Sequence, residues 1–254
     1  MEPIRWQVQE FESLDSTNTW LVDQARAGAA EGLVARADFQ TSGRGRLDRR
    51  WEAPARSALL TSILLRPTLD ESDRFLVTAI VALSARAALV RLCGVRPDVK
   101  WPNDLIVREQ KLGGILAEFV PATSGPPAVV VGIGLNLSSH PAQVASTDIV
   151  EISGLRLDPV TVLDILLEEL EIRRALLDSS EGRSEIRREL RRSLVTLGRA
   201  VRVERVTDVV EGVAVDVDDA GRILLENDDG VVAIPVGDVV HLRTLALHAV
   251  EDAS

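Results

Sequence analysis

The hydrophobic and polar positions divide the chain into two regimes. Up to about residue 198, apolar or alternating runs are interleaved with stretches of helical spacing. Trp6 to Phe11 alternates at Trp6, Val8 and Glu10 and predicts a strand. Ser16 or Asp15 can cap a helix from about Thr17 to Ala27, ended by Gly28. Leu33 to Asp38 predicts a second strand, and Ser57 to Arg66 a strongly apolar third, stopped by Pro67. Ser72 to Leu92 predicts a long helix, with Phe75, Ala79, Ala82, Leu83 and Leu89 near one face. Leu105–Val107 and Leu112–Val120 predict two strands joined by a turn at Arg108–Gln110. After a turn at Ser124–Pro127, Ala128 to Leu137 is almost wholly apolar, so its strand belongs in the middle of a sheet. Ser138 to Asp158 reads as irregular, and Pro159–Leu177 and Ser184–Leu197 as amphipathic helices.

Beyond Gly198 only short β runs occur: 201–206, 209–217, 222–226, 231–236 and 239–243. Turn residues Asp219-Ala220-Gly221 and Asp228-Asp229-Gly230 separate them. The pattern predicts a domain over 1–198 and a small β module over 199–254, too small to stand without its neighbour. There is no internal repeat and no low-complexity tract.

Composition adds exclusions. The 254 residues carry a net charge of −10, which argues against a nucleic-acid-coating protein. Residues 201–254 hold four Arg against 12 acidic residues, so −8 of that charge lies in that stretch of the small module. The larger part is near neutral. One Cys excludes an intrachain disulfide framework and a multi-Cys metal site. The charged N-terminus lacks the apolar stretch of a signal peptide, and no apolar run reaches 18 residues, so no membrane span is expected and the cytoplasm is the default compartment. Lys occurs only at 100 and 111, against 27 Arg. A chain so biased keeps Lys where a compact ammonium is preferred, or by chance.

Four segments carry candidate chemistry. Gln40 to Trp51 is a polar loop with Arg44, Arg46, Arg49 and Arg50, and with Gly43 and Gly45 to let backbone approach a ligand. It matches neither phosphate-loop pattern, G-x-x-x-x-G-K-[ST] or G-x-G-x-x-G. A solvated basic loop is an equal reading. Lys100-Trp101-Pro102-Asn103-Asp104 joins a large ring, a fixed φ, an amide and a carboxylate, with Pro102 expected to hold Trp101 extended. Asn103 and Asp104 suit a strand end, or the orientation of a metal or nucleophile. Lys111 precedes Gly113 and Gly114, small residues that let a ligand lie on the sheet with Lys111 reaching its carboxylate or phosphate. Ser16-Thr17-Asn18 suits helix capping, and Gly132-Ile133-Gly134-Leu135-Asn136 suits a packed strand end.

Taken jointly, Ser16-Thr17-Asn18, Gln40, Gly43-Arg44-Gly45-Arg46, Trp51, Lys100 to Asp104, Lys111 to Leu116 and the Gly-x-Gly-x-Asn of 132–136 resemble a biotin protein ligase, in order and spacing across residues 10–137. The C-terminal module fits that family by layout. The resemblance implies an α+β fold, a mixed or antiparallel sheet flanked by helices in a class II synthetase-like core, with an SH3-like β-barrel module. It implies ATP-dependent conversion of biotin to biotinyl-5′-AMP, then transfer to a lysine of a biotin carboxyl carrier domain. Lys111 would stand where biotin carboxylate and phosphate meet, and Arg44 and Arg46 in a loop closing over the adenylate. Ser16, Thr17, Asn18 and Gln40 would bond biotin, with Gly114 and Gly132 lining its site and Trp51 packing near the adenylate. Asn103, Asp104 and Asn136 fall to Mg²⁺, triphosphate or incoming-lysine positioning, with no fixed metal site. A lipoate or octanoate ligase or transferase of the same fold is the alternative.

Two departures stand out. Many members read Gly-Arg-Gly-Arg-Arg-Gly-Arg where this chain has Leu47-Asp48 before Arg49. Asp48 lowers the loop's charge and replaces a flexible Gly, which bears on how tightly the loop closes. The ligase pattern begins within about the first 15 residues, so no DNA-binding winged helix, DNA partner or repressor activity is expected. A homodimer is left open.

Overall fold

The computed structural model describes residues 4–47, 49–121, 127–142, 145–205, 208–235 and 237–241. Asp48, most of the turn predicted at 124–127, and the ends of three predicted β runs, at 206, 236 and 242–243, lie outside the described residues.

A seven-stranded sheet forms the larger part. It comprises β1 (Gln7–Phe11), β2 (Leu33–Ala37), β3 (Ala58–Leu65), β4 (Asp98–Lys100), β5 (Asp104–Val107), β6 (Gln110–Val120) and β7 (Ala128–Asn136), in the order β1-β2-β3-β7-β6-β5-β4. Only β1–β2 is parallel; the other pairs are antiparallel. β7 lies between β3 and β6, as its unbroken apolar sequence predicts.

The helices are α1 (Thr17–Arg26), α2 (Phe75–Cys93), α3 (Ile149–Ser153), α4 (Pro159–Leu176) and α5 (Ser180–Ser193). Strand alternation sorts the sheet into two faces. Leu59, Ile63, Val131 and Leu135 meet α2 and α4 in the main core. Leu64, Val120 and Val130 face the other way and pack on Leu21, Val22 and Ala25 of α1. Residues 71–93 are long and apolar enough to cross a membrane, unlike any run expected from the sequence. The fold explains this composition, because α2 lies between the sheet, α4 and α5 and needs apolar residues on nearly every side. Ile80 is fully buried at its centre. Ile80→Ala is expected to lower stability by about 2–5 kcal/mol in denaturant unfolding; a loss below about 1 kcal/mol would mean the site collapses around the deletion.

The C-terminal module is a five-stranded antiparallel sheet of β8 (Ala200–Glu204), β9 (Val209–Val217), β10 (Ile223–Asn227), β11 (Gly230–Ile234) and β12 (Asp238–His241), ordered β11-β10-β9-β8-β12. It shares the main core through Val201, Val203 and Ile223. Trp101 Nε1 donates to Gly221 O at 3.0 Å, and Arg191 pairs with Asp216 at 3.0 Å, fixing the module to the larger part.

The differences from the sequence reading are local. The stretch expected to be irregular contains α3, whose Asp148 cap accepts from Glu151 N at 2.9 Å. α5 starts at Ser180, four residues early, because Ser179 caps it. β4 was not foreseen as a strand; three residues are too few to show alternation. Trp101 is not extended as expected but lies in the turn from β4 to β5, with a cis peptide to Pro102. The β5–β6 turn uses Arg108 and Glu109, both at positive φ, without the glycine that usually marks it.

Candidate active site

The face of the sheet that carries α1 is only half covered by it. Along β3 that face runs Leu64, Ser62, Leu60, and along β7 it runs Val130, Gly132, Gly134. α1 covers Leu64 and Val130. Beyond them the large side chains stop. Gly134 pairs with Gly114 of β6, Gly114 with Asp104 of β5, and Asp104 with Lys100 of β4. These small residues leave a floor for a cavity of about 390 Å³. A Cβ on Gly134 would press into the Trp51 indole, and one on Gly132 into the Asn18 amide. The glycines are therefore required by what lies on top of them.

The N-terminus of α1 forms one wall. Thr17 N and Thr17 Oγ1 both donate to Gln40 Oε1, at 2.8 and 3.1 Å. Ser62 Oγ stands 2.7 Å from Thr17 Oγ1 and 2.6 Å from Asn18 Oδ1. Asn18 Nδ2 donates to Glu118 Oε2 at 2.8 Å. Ser16 Oγ accepts from Thr19 N at 3.4 Å, so Ser16 caps the helix as well as facing the cavity. A polar, hydrogen-bonded end of this kind suits a neutral polar ring.

The arginine loop forms a second wall, joined to the first through Glu118, which both Asn18 and Arg44 bond. It is folded on itself: Gly45 N donates to Arg49 O at 2.7 Å and Trp51 N to Gly43 O at 3.0 Å. Arg44 Nη1 lies 2.9 Å from Glu118 Oε1. Arg46 donates to Asn103 Oδ1 at 3.1 Å and to Gly237 O at 3.4 Å, and lies 3.8 Å from Asp238. Arg49 also pairs with Asp238. Burial pushes the Arg46 guanidinium below its ordinary value, against the opposing pull of Asp238 and Asp104. Arg46 thus joins three parts of the chain: the loop, the β4–β5 turn and the C-terminal module.

Lys111 sits over Gly114. Its Nζ lies 2.6 Å from Asp104 Oδ1 and 5.7 Å from the Trp51 ring centroid. The backbone of Lys111 is held on both sides by one segment: its N–H donates to Ala145 O at 2.9 Å, and its C=O accepts from Thr147 N at 3.0 Å. Asn136 Nδ2 donates to Thr147 O at 3.1 Å, whereas its buried Oδ1 has no hydrogen-bond partner among the described residues. Trp51 Nε1 is likewise buried without one. Lys100 ends the floor row beyond Asp104 and does not line the cavity; burial lowers its ammonium below the usual range.

The cavity therefore holds a hydrogen-bonding end, a cationic wall and the Lys111 ammonium over its glycine floor. Comparison with known proteins decides its family. Residues 10–136 match the model of the biotin/lipoate A/B protein ligase family, and residues 196–242 that of the biotin protein ligase C-terminal domain. The chain is 35% identical over 237 residues to the biotin–[acetyl-CoA-carboxylase] ligase of Mycobacterium tuberculosis, covering 90% of this chain and 86% of that protein. It is 31% identical to the ligase of the same description from Paracoccus denitrificans, covering 89% and 96%. The structure of the Aquifex aeolicus biotin protein ligase in complex with biotin and ATP superposes with a TM-score of 0.80 at 26% identity, covering 94% of this chain and 99% of that one.

The chain belongs to the biotin protein ligase family.

In this ligase, Lys100, Trp101, Pro102 and Gly113 of the segments singled out from sequence lie outside the cavity, whereas Ser16, Thr17, Asn18, Gln40, Arg44, Gly45, Arg46, Trp51, Asn103, Asp104, Lys111, Gly114, Gly132 and Asn136 line it. Gly43 does not; it closes the base of the arginine loop, where a Cβ would strike Trp51 O. Sequence reasoning missed Ser62, Glu118 and Asp238. Glu118 carried a faint signal, a lone acid in the apolar run Leu112–Val120. Asp238 carried none, because only the fold brings β12 to the arginine loop.

Proposed function

We propose that the ligase joins biotin to MgATP, releasing pyrophosphate, and passes the biotinyl group from biotinyl-5′-AMP to a lysine of a biotin carboxyl carrier domain. The observation that carries this reading is Lys111 on a glycine floor, between a neutral hydrogen-bonding wall and an arginine wall. A carboxylate and a phosphate repel each other, and a fixed ammonium between them removes that repulsion. The biotin ureido ring lies against Ser16, Thr17, Asn18 and Gln40, with Gly132 and Gly114 beneath the acyl chain. The phosphates meet Arg44, Arg46 and Asn103. Asn136 Oδ1 needs a donor, and the donors ATP offers are its exocyclic amine and ribose hydroxyls. Asp104, once Lys111 turns to the anions, is placed to receive a proton from the incoming lysine. Mg²⁺ arrives as part of the ATP substrate. Asp104 and Asp238 are oxygen donors at the cavity and both already face cations, which suits an ion held mainly by phosphate oxygens. Residues 1–198 carry the chemistry, and 199–254 support the arginine loop. The reading places the enzyme in the cytoplasm, with ATP.

The test is transfer of labelled biotin, from ATP and biotin, to a purified carrier domain. Labelling of one carrier lysine is expected. Pyrophosphate exchange with lipoate but not biotin would favour the lipoate reading instead. A second expectation concerns Trp51. Gly134→Ala should displace the indole and raise the KM for ATP about tenfold, because base–aromatic stacking is worth about 1–3 kcal/mol. An unchanged KM, with the fold intact by circular dichroism, would show that the base packs elsewhere.

A further inference from the structure

Behind the segment that holds Lys111 lies a cluster the proposed reaction does not use. His140 comes from the loop after β7, Asp148 caps α3, and Glu151 stands in its first turn. His140 Nε2 lies 3.1 Å from Glu151 Oε2 and 3.9 Å from Asp148 Oδ2. The three ligand atoms lie within 4.8 Å of one another.

The hydrogen bonds around the imidazole fix how the ring is turned. Ser146 Oγ donates its hydrogen to Pro141 O at 2.8 Å. His140 Nδ1 lies 3.2 Å from the same Oγ. With the hydroxyl hydrogen used on Pro141, the bond between them needs Nδ1–H as donor. Nε2 faces the two carboxylates. One imidazole nitrogen and two carboxylate oxygens thus converge. Asp148 Oδ1 is already engaged with Glu151 N, so Oδ2 is the atom that points into the gap. Thr147 Oγ1 holds Glu151 Oε2 from behind at 2.9 Å.

From this convergence we propose that His140, Asp148 and Glu151 bind a divalent transition-metal ion of the zinc class. The donor set of one imidazole nitrogen and two carboxylate oxygens suits Zn²⁺ or Co²⁺ better than Mg²⁺, which prefers oxygen alone. Metal–ligand bonds of about 2.0–2.2 Å place neighbouring ligand atoms about 3.0–3.6 Å apart. His140 and Glu151 already stand at that spacing. Asp148, at 3.9 Å from Nε2, has to close in, and Glu151, half exposed, can follow. Ser146 orients the imidazole from behind, as second-layer hydrogen bonds do in metal sites. Water fills the remaining positions.

The site would act on the proposed reaction through position. Ala145 and Thr147 bracket the backbone of Lys111, and this segment lies between His140 and Asp148. A bound ion ties its two ends together. This second role depends on the proposed function; the binding itself does not.

The test uses the full chain, freed of metal by a chelator and titrated with Co²⁺ and Zn²⁺ in the absence of ATP, which would compete for the ion. One ion per chain is expected, with a ligand-field spectrum for Co²⁺ and a raised melting temperature. His140→Gln and Glu151→Gln should each weaken binding at least about tenfold, and Ser146→Ala by about tenfold, whereas Asp104→Asn should bind as wild type. Failure to bind either ion, which is also the outcome if His140 carries only a proton, would overturn the site. So would binding that survives His140→Gln or is lost in Asp104→Asn. If a substitution unfolds the chain, titration of the wild type with the His140 resonances followed by NMR gives the same decision. The binding measurement stands whether or not the chain transfers biotin.

Discussion

Lys111→Ala should abolish adenylate formation, lowering biotin-dependent pyrophosphate exchange by about 10³-fold. The ammonium stands over the glycine floor, with Asp104 at 2.6 Å and the Trp51 ring beneath its reach. Removing it does two things. The positive charge between two substrate anions is lost, and the Asp104 carboxylate is left facing the same space. The second effect predicts a test of the first. Lys111→Ala combined with Asp104→Asn should bind biotin and ATP better than Lys111→Ala alone, yet still fail to join them. Exchange near the wild-type rate in Lys111→Ala would refute the role.

Arg46→Gly should instead form the adenylate and let it go. Arg46 ties the arginine loop to Asn103 at 3.1 Å and to Gly237 at 3.4 Å. Charge-assisted hydrogen bonds of this kind contribute about 1.5–3 kcal/mol, so release should quicken by about 10- to 100-fold. Escaped biotinyl-5′-AMP acylates amines without selection, and bystander proteins in the assay should carry biotin on scattered lysines. The chain itself offers few targets, with lysine only at 100 and 111. If Arg46→Gly weakens ATP binding but labels no bystander, the loop does not retain the intermediate.

Much of this site could be read in the sequence because it is built from local motifs. Ser16 to Asn18 open a helix, Gly132 and Gly134 interrupt an apolar strand, and the arginine loop is too polar for anything else. Each signal lies within a few residues, and the fold brings them to one cavity. The parts that escaped are those whose meaning is long-range. Asp238 reaches Arg46 across 192 positions of chain, and Glu118 of β6 meets both Asn18 of α1 and Arg44 of the loop. Short elements escaped for another reason. β4 and α3, of three and five residues, are stabilised by neighbours rather than by any periodicity of their own. Gly43 shows the converse. Its motif is legible, but in the structure it lets the loop close on Trp51 and does not line the cavity.

The floor row of Leu60, Gly134, Gly114 and Asp104 runs across the strands, one residue from each. A molecule lying there is gauged in strand spacings, and three of them amount to about 14 Å. Insertions along a strand cannot lengthen that gauge, since they slide residues at right angles to it. Accepting a longer acid would require another strand stripped of its side chain at the right register. On the proposed reading, the length of acid accepted follows the number of strands this row crosses, and most substitutions within the cavity tune grip rather than reach.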